Sequence, residues 1–337
     1  MTRWWPVLLA ATCLGLTEAC RTADQAGQPE HDRVRAIAMP YITLMPFYIA
    51  AEEGYFADEG LDVELIRVAR NQDIMAALAT GEVDVAGGML TVNELNLALG
   101  GARVRMIASL GELRPEACRL GAVMVRRDLV GTGVLEDPEA IRDLRFDVDQ
   151  VIPIGYWADL FLRRFGLDID DVTVVNMPSP ATIEAMRTGA LDVTVEGEPF
   201  VTMLESSGAA AVWERADAIV PNFVMAMMMY GPTLLDERPE VGERFAVAIL
   251  RAIRQFMQGK TARNLAIVER GTGLPSDVVA SSCWPVVGDN ARLDPLALRG
   301  YQEWSVERGL VDRVLEDEEL FEPRFMEQAA ARLAKDE

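Results

Sequence analysis

The sequence predicts an α/β protein made of two similar lobes. Segments typical of strands and of helices alternate along the chain, which indicates βαβ units around a mostly parallel sheet. The phrase AALATGEVDVAGG at 76–88 recurs as EAMRTGALDVTVEG at 184–197. Two long apolar segments, at 119–129 and 222–232, flank the second copy. These observations predict two α/β lobes joined by a two-strand hinge, with a ligand cleft between the lobes.

The first lobe starts with RVRAIAM at 33–39, which is short and apolar and therefore predicts a buried strand. Pro46 fits the first turn of the next helix, and Gly54 fits the end of that helix. LDVELIRV alternates apolar and polar residues, as a half-buried strand does. The first repeat copy adds a helix ended by Gly81 and the short strand VDVAGG, and a further helix and strand follow at 91–110.

The second lobe repeats this order between the two hinge strands. LRFDV predicts a strand, ADLFLRRFGL predicts a helix that ends at Gly166, and DVTVVNM predicts another strand. The second repeat copy supplies a helix with Ser179 as its N-cap and Pro180 at its first position. Three amphipathic helices at the C-terminal end are expected to complete the first lobe. The predicted division assigns 34–118 and 231–337 to the first lobe and 119–230 to the second.

Composition excludes several classes of function. The net charge of −21 argues against a nucleic-acid partner, because phosphate binding needs a basic surface. The single histidine, His31, lies near the N-terminus, so no Ser-His-Asp or Cys-His catalytic set can be assembled. The chain has no CxxC motif, and neither a metal nor a cofactor is expected. Cys118 and Cys283 are far apart in sequence, and two buried free thiols are favoured over a disulfide.

The N-terminus predicts export. An apolar run follows Arg3; it is too short to span a bilayer and is typical of a secretory signal peptide. Residues 1–19 are therefore predicted to be removed, with the cut before Cys20. Lipoprotein processing, which would acylate Cys20 and anchor the protein to the membrane, is favoured over simple secretion, and an uncleaved signal anchor is the third alternative. Residues 20–33 are polar and predict a tether.

The stretch MPFYIAAEEGYFADEGLDVEL at 45–65 resembles the opening signature of the extracytoplasmic binding proteins for sulfonates, nitrate and thiamine-precursor pyrimidines. The two repeat copies match that family's later signatures, except that Gly197 stands where the family commonly has Trp before Glu198-Pro199. The resemblance covers about residues 34–260. It implies a type II periplasmic-binding fold that captures a small solute, in the periplasm or at the cell surface. It also implies, as partners, the permease and ATPase of an ABC importer.

The same resemblance raises an enzymatic alternative. Fungal pyrimidine synthases share this fold, and they use a cysteine-rich motif and an active-site histidine. This chain has neither feature, so it is expected not to be an enzyme.

Ligands of open parallel sheets lie beyond the carboxyl ends of the strands. None of the predicted loops at those ends contains Lys or Arg. Their aromatic, hydroxyl, amide and carboxylate side chains suit a neutral or cationic nitrogen-containing aromatic ligand, such as a thiamine-precursor pyrimidine. The predicted ligand-binding residues are Tyr41, Thr43, Met89, Thr91, Asn93, Tyr156, Trp157, Glu196 and Glu198.

Several of these residues have a structural alternative. Trp157 could belong to the core, Thr91 and Asn93 could cap the following helix, and one of the two glutamates could lie at a solvated edge. The main functional alternative is an anion such as a sulfonate or nitrate, which would require Arg70 or Arg114 to reach the cleft. A component that presents its ligand to a sensor is another alternative.

Overall fold

The computed structural model of the chain describes residues 31–66 and 72–336. The predicted signal peptide, Cys20, Arg70 and most of the predicted tether lie outside the described residues. Among the helices that are described, none is long and apolar enough to cross a membrane. The first strand begins at Asp32, so the end of the predicted tether already belongs to the fold.

The strands are short and most are buried on both faces. In chain order they are β1 (Asp32–Ile37), β2 (Leu61–Ile66), β3 (Val85–Gly88), β4 (Arg105–Glu112), β5 (Gly121–Arg126), β6 (Arg145–Asp147), β7 (Thr173–Val175), β8 (Val193–Gly197), β9 (Ala210–Arg215) and β10 (Val224–Tyr230).

The helices cover the faces of the sheets. They are α1 (Met45–Glu52), α2 (Tyr55–Asp58), α3 (Gln72–Ala79), α4 (Val92–Leu99), α5 (Pro138–Arg142), α6 (Pro153–Arg163), α7 (Ser179–Arg187), α8 (Phe200–Ser206), α9 (Ala216–Ile219), α10 (Pro239–Phe256), α11 (Ala262–Thr272), α12 (Ser276–Ser281), α13 (Leu296–Glu307), α14 (Asp317–Leu320) and α15 (Arg324–Asp336). Short 3-10 turns lie at Ile42–Leu44, Arg127–Leu129, Val134–Glu136, Ile169–Asp171 and Asp289–Ala291, and a π-helical turn lies at Thr233–Glu237.

These strands form two five-stranded sheets, one for each lobe. The first sheet has the order β2-β1-β3-β10-β4 and the second has the order β7-β6-β8-β5-β9. In each sheet one strand runs antiparallel to the rest and pairs with two neighbours, β10 in the first and β5 in the second. The predicted α/β architecture of two lobes is therefore confirmed.

The repeated phrase performs the same task in both lobes. Gly81 and Gly189 both adopt a φ of +74° just after the helices of the two copies, a left-handed conformation that favours glycine. In the first lobe the Asp84 carboxylate accepts the backbone N–H of Arg35 in β1 at 2.7 Å. In the second lobe the Asp192 carboxylate accepts the backbone N–H of Arg145 in β6 at 3.0 Å. The recurring aspartate thus fixes the parallel neighbour of the strand that follows it.

The boundary between the lobes differs from the expected one. β10 pairs with β3 and β4, so residues 224–230 belong to the first sheet and not to the second lobe. The chain therefore passes between the lobes at 113–120 and again at 220–223, after α9, which packs on the second sheet. An apolar segment alone does not reveal which of two sheets it joins, because both sheets bury such strands equally well.

The C-terminal helices also divide between the lobes. α10 packs against α1 and α15 on the first lobe, as expected. α13 instead packs against α6 of the second lobe, so its assignment to the first lobe is corrected. The physical reason is an aromatic contact: the rings of Tyr301 and Trp304 in α13 lie 5.9 and 5.8 Å from the ring of Tyr156 in α6.

Cys118 and Cys283 form a disulfide, which corrects the expectation of two free thiols. Their Cα atoms lie 5.6 Å apart although 165 positions separate them in sequence. The bond attaches the first interlobe passage, at 113–120, to the segment that follows α12. Sequence distance was a poor guide here because the fold returns the chain to the hinge after α12.

Candidate functional site

The carboxyl ends of β6, β7 and β8 surround a cavity of about 320 Å³ in the second lobe. β6 runs parallel to both β7 and β8, so their carboxyl ends meet at one edge of the sheet. Three carboxylates line the cavity, and no Lys or Arg is among its lining residues. The lining residues are Asp147, Asp149, Ile152, Ile154, Asn176, Met177, Pro178, Ser179, Val195 and Glu196.

Glu196, the predicted ligand-binding residue at the end of β8, is one of the lining residues. This residue is only 4 % exposed. The hydroxyl of Ser179, the first residue of α7 rather than its N-cap, donates to the Glu196 carboxylate at 3.0 Å. Burial raises the pKa of Glu196 to about 7, and the hydrogen bond from Ser179 opposes this shift. The carboxyl group is therefore able to gain or lose a proton near neutral pH.

Asp147, at the end of β6, is the second buried carboxylate of the cavity. Its carboxylate accepts the backbone N–H of Met177 at 3.0 Å and the hydroxyl of Thr194 at 3.4 Å. Burial raises the pKa of Asp147. The same Thr194 hydroxyl lies 3.4 Å from the Glu196 carboxylate, so its one proton can be donated to either acid and the two acids belong to one hydrogen-bonded group.

Tyr41 lies in the first lobe, after β1, and is 42 % exposed. The surrounding protein raises the pKa of its hydroxyl, and the charge of Glu196 raises that pKa further. Tyr41 of one lobe and Glu196 of the other are therefore within electrostatic range of each other across the cleft. Thr43 and Met89 are half-buried in the first lobe, and neither lines the 320 Å³ cavity.

Thr91 caps α4, as the structural alternative predicted. Its hydroxyl accepts the backbone N–H of Asn93 at 3.2 Å, and the Glu94 carboxylate accepts the backbone N–H of Thr91 at 2.8 Å. This reciprocal pair is a capping box. Asn93 is exposed. The first N–H of the helix, that of Val92, is donated to the second lobe rather than to a capping side chain.

Glu198 does not line the 320 Å³ cavity. Its carboxylate accepts the hydroxyl of Thr202 at 2.8 Å and the backbone N–H of Thr202 at 3.2 Å, at the start of α8. It also accepts the backbone N–H of Cys283 at 3.2 Å, next to the disulfide. Burial raises the pKa of Glu198. In this structure Glu198 therefore connects α8 to the segment that carries Cys283.

Trp157 is fully buried, so neither face of its indole is open to a ligand. Its ring meets that of Phe223 edge-on at 5.5 Å. This corrects the predicted stacking role of Trp157 and selects its structural alternative. Tyr156 also packs in this aromatic cluster, between Phe223, Tyr301 and Trp304. The cluster forms because α13 covers α6, a contact that the sequence pattern of α6 alone could not disclose.

Arg114 lies at the carboxyl end of β4, away from the carboxylate cavity. It forms an ion pair with Glu112 and donates to the side-chain oxygen of Asn222 at 3.3 Å. Arg114 and Arg292 line a different cavity, of about 510 Å³, beside the hinge. That cavity also contains Glu112, which pairs with Arg114, and Asp294.

The model of the NMT1-like family matches residues 27–269. The chain belongs to the NMT1-like family. One relative of this NMT1-like protein is the taurine-binding periplasmic protein of Escherichia coli K12, which is 22 % identical over 79 % of this chain and 81 % of its own length. Another is the bicarbonate-binding protein CmpA of Synechococcus elongatus, which is 24 % identical over 53 % of this chain and 44 % of its own.

Solved structures share the fold of the NMT1-like protein. The ligand-binding component of an ABC-type import system from Staphylococcus aureus has a TM-score of 0.74, with 14 % identity over 89 % of this chain and 99 % of its own. The aliphatic sulphonate binding protein SsuA of Escherichia coli has a TM-score of 0.71, with 13 % identity over 88 % of this chain and 93 % of its own. The desulfurization enzyme DszB has a TM-score of 0.67, with 15 % identity over 90 % of this chain and 100 % of its own. The predicted type II periplasmic-binding fold is confirmed, and the fold alone does not separate binding from catalysis.

Sequence reasoning missed part of the acidic site of the NMT1-like protein. Asp147 and Asp149 stand at and just beyond the end of the predicted strand LRFDV, and that position was the signal that could have found them. The site combines carboxylates with amide and hydroxyl groups, which recognise N–H donors or a positive charge. Within residues 31–66 and 72–336, no group of three or more His, Cys, Asp or Glu side chains is arranged to hold a metal ion.

Proposed function

We propose that this NMT1-like protein is an extracytoplasmic solute-binding protein of an ABC importer. Its ligand is a small, neutral or cationic, nitrogen-containing aromatic molecule, such as a thiamine-precursor pyrimidine. Support for a binding role comes from the relatives whose names describe periplasmic binding proteins and from the fold shared with a component of an ABC-type import system. The partners of the protein are then a permease and an ATPase. A sensor that receives the same ligand would leave the cleft chemistry unchanged.

One observation carries the choice of ligand class: the 320 Å³ cavity presents Asp147, Asp149 and Glu196 with no Lys or Arg in its lining. An aminopyrimidine offers an N–H donor next to a ring-nitrogen acceptor. A carboxyl group whose pKa is about 7, as burial sets it for Glu196, can donate to the ring nitrogen and accept from the amino group. The same carboxyl group, once ionised, can hold an ammonium or a protonated ring.

The helix N-termini around the site add to this argument. A helix N-terminus is an anion site when its N–H groups are free. At α4 these groups are taken by Val151, Thr91 and Glu94. At α8 the Glu198 carboxylate accepts an N–H group, and α6 begins with Pro153, which has no N–H to offer. At α4 and α8 an anionic ligand would thus compete with acceptors that the chain itself supplies.

An anion remains the second candidate because of the relatives. The names of these proteins specify taurine, bicarbonate and sulphonate. Taurine carries an ammonium as well as a sulfonate, so its cationic end also suits the carboxylate cavity. Binding of nitrate or a simple alkylsulfonate would instead favour the cavity of Arg114 and Arg292.

A thermal-shift panel on the protein without residues 1–20 tests the proposal. It contains an aminomethyl-pyrimidine, thiamine, a polyamine, taurine, an alkylsulfonate and nitrate. A ligand at about 100 times its Kd adds about 2.7 kcal/mol to the free energy of unfolding, which raises the melting temperature by several degrees. We expect a shift with the pyrimidine or a cation. A shift with nitrate or the alkylsulfonate alone would refute the proposed ligand class.

A matched pair of variants assigns the response to the cavity. Glu196→Gln removes the central carboxylate and is expected to abolish the shift. Glu184→Gln makes the same change on the exposed surface of α7, where Glu184 pairs with Arg187, and is expected to keep it. Equal responses of the two variants would place the ligand elsewhere.

Lipid anchoring through Cys20 is part of the proposed location at the membrane surface. Cys20→Ser is expected to release the protein from the membrane fraction into the soluble fraction. A wild-type protein that is already soluble after export would indicate simple secretion instead.

A further inference from the structure

The loop that follows β6 in the second lobe meets the first lobe at one carbonyl group. The carbonyl oxygen of Val151 accepts the backbone N–H of Val92 at 3.0 Å. Val92 is the first residue of α4, in the first lobe, and its N–H is one of those that a helix cannot satisfy internally. This bond is therefore a direct backbone connection between the two lobes across the cleft.

On its own lobe the loop is held firmly. The Asp149 carboxylate accepts the N–H of Val151 at 3.0 Å. Gly155 in α6 packs so closely on the loop that a Cβ atom there would lie 2.7 Å from the Cα atom of Gln150. The Tyr301 hydroxyl of α13 donates to the Val151 carbonyl at 3.2 Å, and Arg308 donates to the Gln150 side chain at 3.5 Å.

The partner on the first lobe is equally fixed. The capping box of Thr91 and Glu94 holds the start of α4 in place. Tyr301 is buried, and the charge of Glu94 contributes to the raised pKa of its hydroxyl, so this hydroxyl lies close to both lobes. The loop after β6 and the start of α4 are thus each held in place, and they meet at the Val151 carbonyl. We call this interlobe hydrogen bond, from the Val92 N–H to the Val151 carbonyl, the latch.

The latch belongs to the same loop as the cavity. Asp149 and Ile152, which flank Val151, both line the 320 Å³ cavity. We propose that Val151 is a positioning residue for lobe closure: its carbonyl, held by Tyr301, locks the second lobe onto the start of α4. A molecule in the cavity and the closed lobes then stabilise the same loop conformation. This inference does not depend on which ligand the cleft binds.

A proline substitution at Val92 removes the N–H donor and also replaces a buried side chain. Proline is well tolerated at the first position of a helix, where its missing N–H has no partner within the helix. The preceding residue, Thr91, has φ −111° and ψ 173°, the extended conformation that a following proline requires. Val92→Ala is the matched control, because it shortens the side chain and keeps the N–H group.

Small-angle scattering of the protein without residues 1–20, in the absence of any ligand, measures closure. We expect Val92→Pro to shift the radius of gyration to a larger value than in wild type, because losing one hydrogen bond lowers the ratio of closed to open molecules by about two- to tenfold. Val92→Ala is expected to match the wild type.

Two results would overturn the latch: a folded Val92→Pro variant that scatters like the wild type, or a Val92→Ala variant that opens as much as Val92→Pro. If circular dichroism shows that Val92→Pro does not fold, the scattering of the Tyr301→Phe variant tests the latch instead. That variant removes the second donor to Val151, and its scattering is expected to shift in the same direction; unchanged scattering would overturn the proposal. Because no ligand is present, failure of the proposed ligand class would not affect this test.

Discussion

The Asp159 carboxylate in α6 accepts the indole N–H of Trp304 in α13 at 2.9 Å. Asp159 is fully buried, and it also accepts the backbone N–H of Ile169 at 2.9 Å and pairs with Arg163 at 2.8 Å. One carboxylate thus joins α13 to α6 of the second lobe and fixes the chain that leads to β7. Arg308 of the α13 C-terminus adds an exposed pair with Asp170 at 2.7 Å.

Asp159→Ala is expected to lower the free energy of unfolding by about 2–4 kcal/mol, because the buried donors of Trp304 and Ile169 lose their acceptor. Urea denaturation followed by circular dichroism measures the loss. Asp170→Ala is the control, since an exposed ion pair contributes only about 0–1 kcal/mol. A loss for Asp159→Ala no larger than that of Asp170→Ala would contradict the central role of this carboxylate.

Glu196 is expected to make stability depend on pH. Burial raises its pKa from 4.5 to about 7, so between these values the folded protein keeps a proton that the unfolded chain releases. Its contribution is complete below pH 4.5 and is lost as the pH rises through 7. The loss is roughly 3 kcal/mol, from 1.36 kcal/mol for each pKa unit.

Glu196→Gln should remove this dependence, so its stability relative to wild type should improve from pH 4.5 to pH 8. Urea denaturation at several pH values measures the difference between the two proteins. Glu184→Gln, whose side chain is 60 % exposed in the wild type, is expected to follow the wild type throughout. Parallel curves of the free energy of unfolding against pH for wild type and Glu196→Gln would show that this carboxyl group does not cause the pH dependence.

The disulfide is expected to be a major contributor to stability. It closes a long loop, because Cys118 and Cys283 are 165 positions apart in sequence, and such cross-links contribute about 2–5 kcal/mol. The double variant Cys118→Ala, Cys283→Ala should lower the urea midpoint of the protein without residues 1–20. Reductant should lower the midpoint of the wild type and leave that of the double variant unchanged. A wild-type urea midpoint that stays the same after complete reduction of the disulfide would contradict this expectation.

Removing the N-cap of α4 should weaken the first lobe. Thr91→Ala abolishes one half of the capping box and is expected to lower the free energy of unfolding by about 1 kcal/mol. Asn93→Ala, two positions further on and exposed, is expected to change it by less than about 0.5 kcal/mol. Thermal denaturation compares the two variants. The reverse order would mean that Asn93 supports the helix through its side chain.

Local patterns predicted much of the fold. Gly81 and Gly189 marked the ends of the repeat helices because a left-handed residue after a helix favours glycine. Asp84 and Asp192 marked equivalent strands because the same backbone bond recurs in each lobe. These features depend on neighbours within one βαβ unit, which is the range over which sequence spacing is informative.

Contacts between segments that are far apart in the sequence were harder to predict. Trp157 sits beneath Phe223, and its neighbour Tyr156 sits beneath α13, which lies far along the chain. The pairing of Cys118 with Cys283 likewise depends on where the chain returns to the hinge. The position of β10 depends on which of the two sheets the chain joins after the second lobe. Glu196 was found because it ends a predicted strand, whereas Asp149 was missed because the boundary between β6 and α6 was set too late.

The path of the chain limits how the protein can be divided. The second sheet is encoded by one continuous stretch, about 121–215, yet the helix that covers Tyr156 is encoded after residue 295. A gene fragment for the second sheet alone would therefore expose an aromatic surface to water and invite aggregation. The two lobes resemble independent modules in outline, but α13 of the second lobe is encoded after β10 of the first, so the two lobes must be synthesised together.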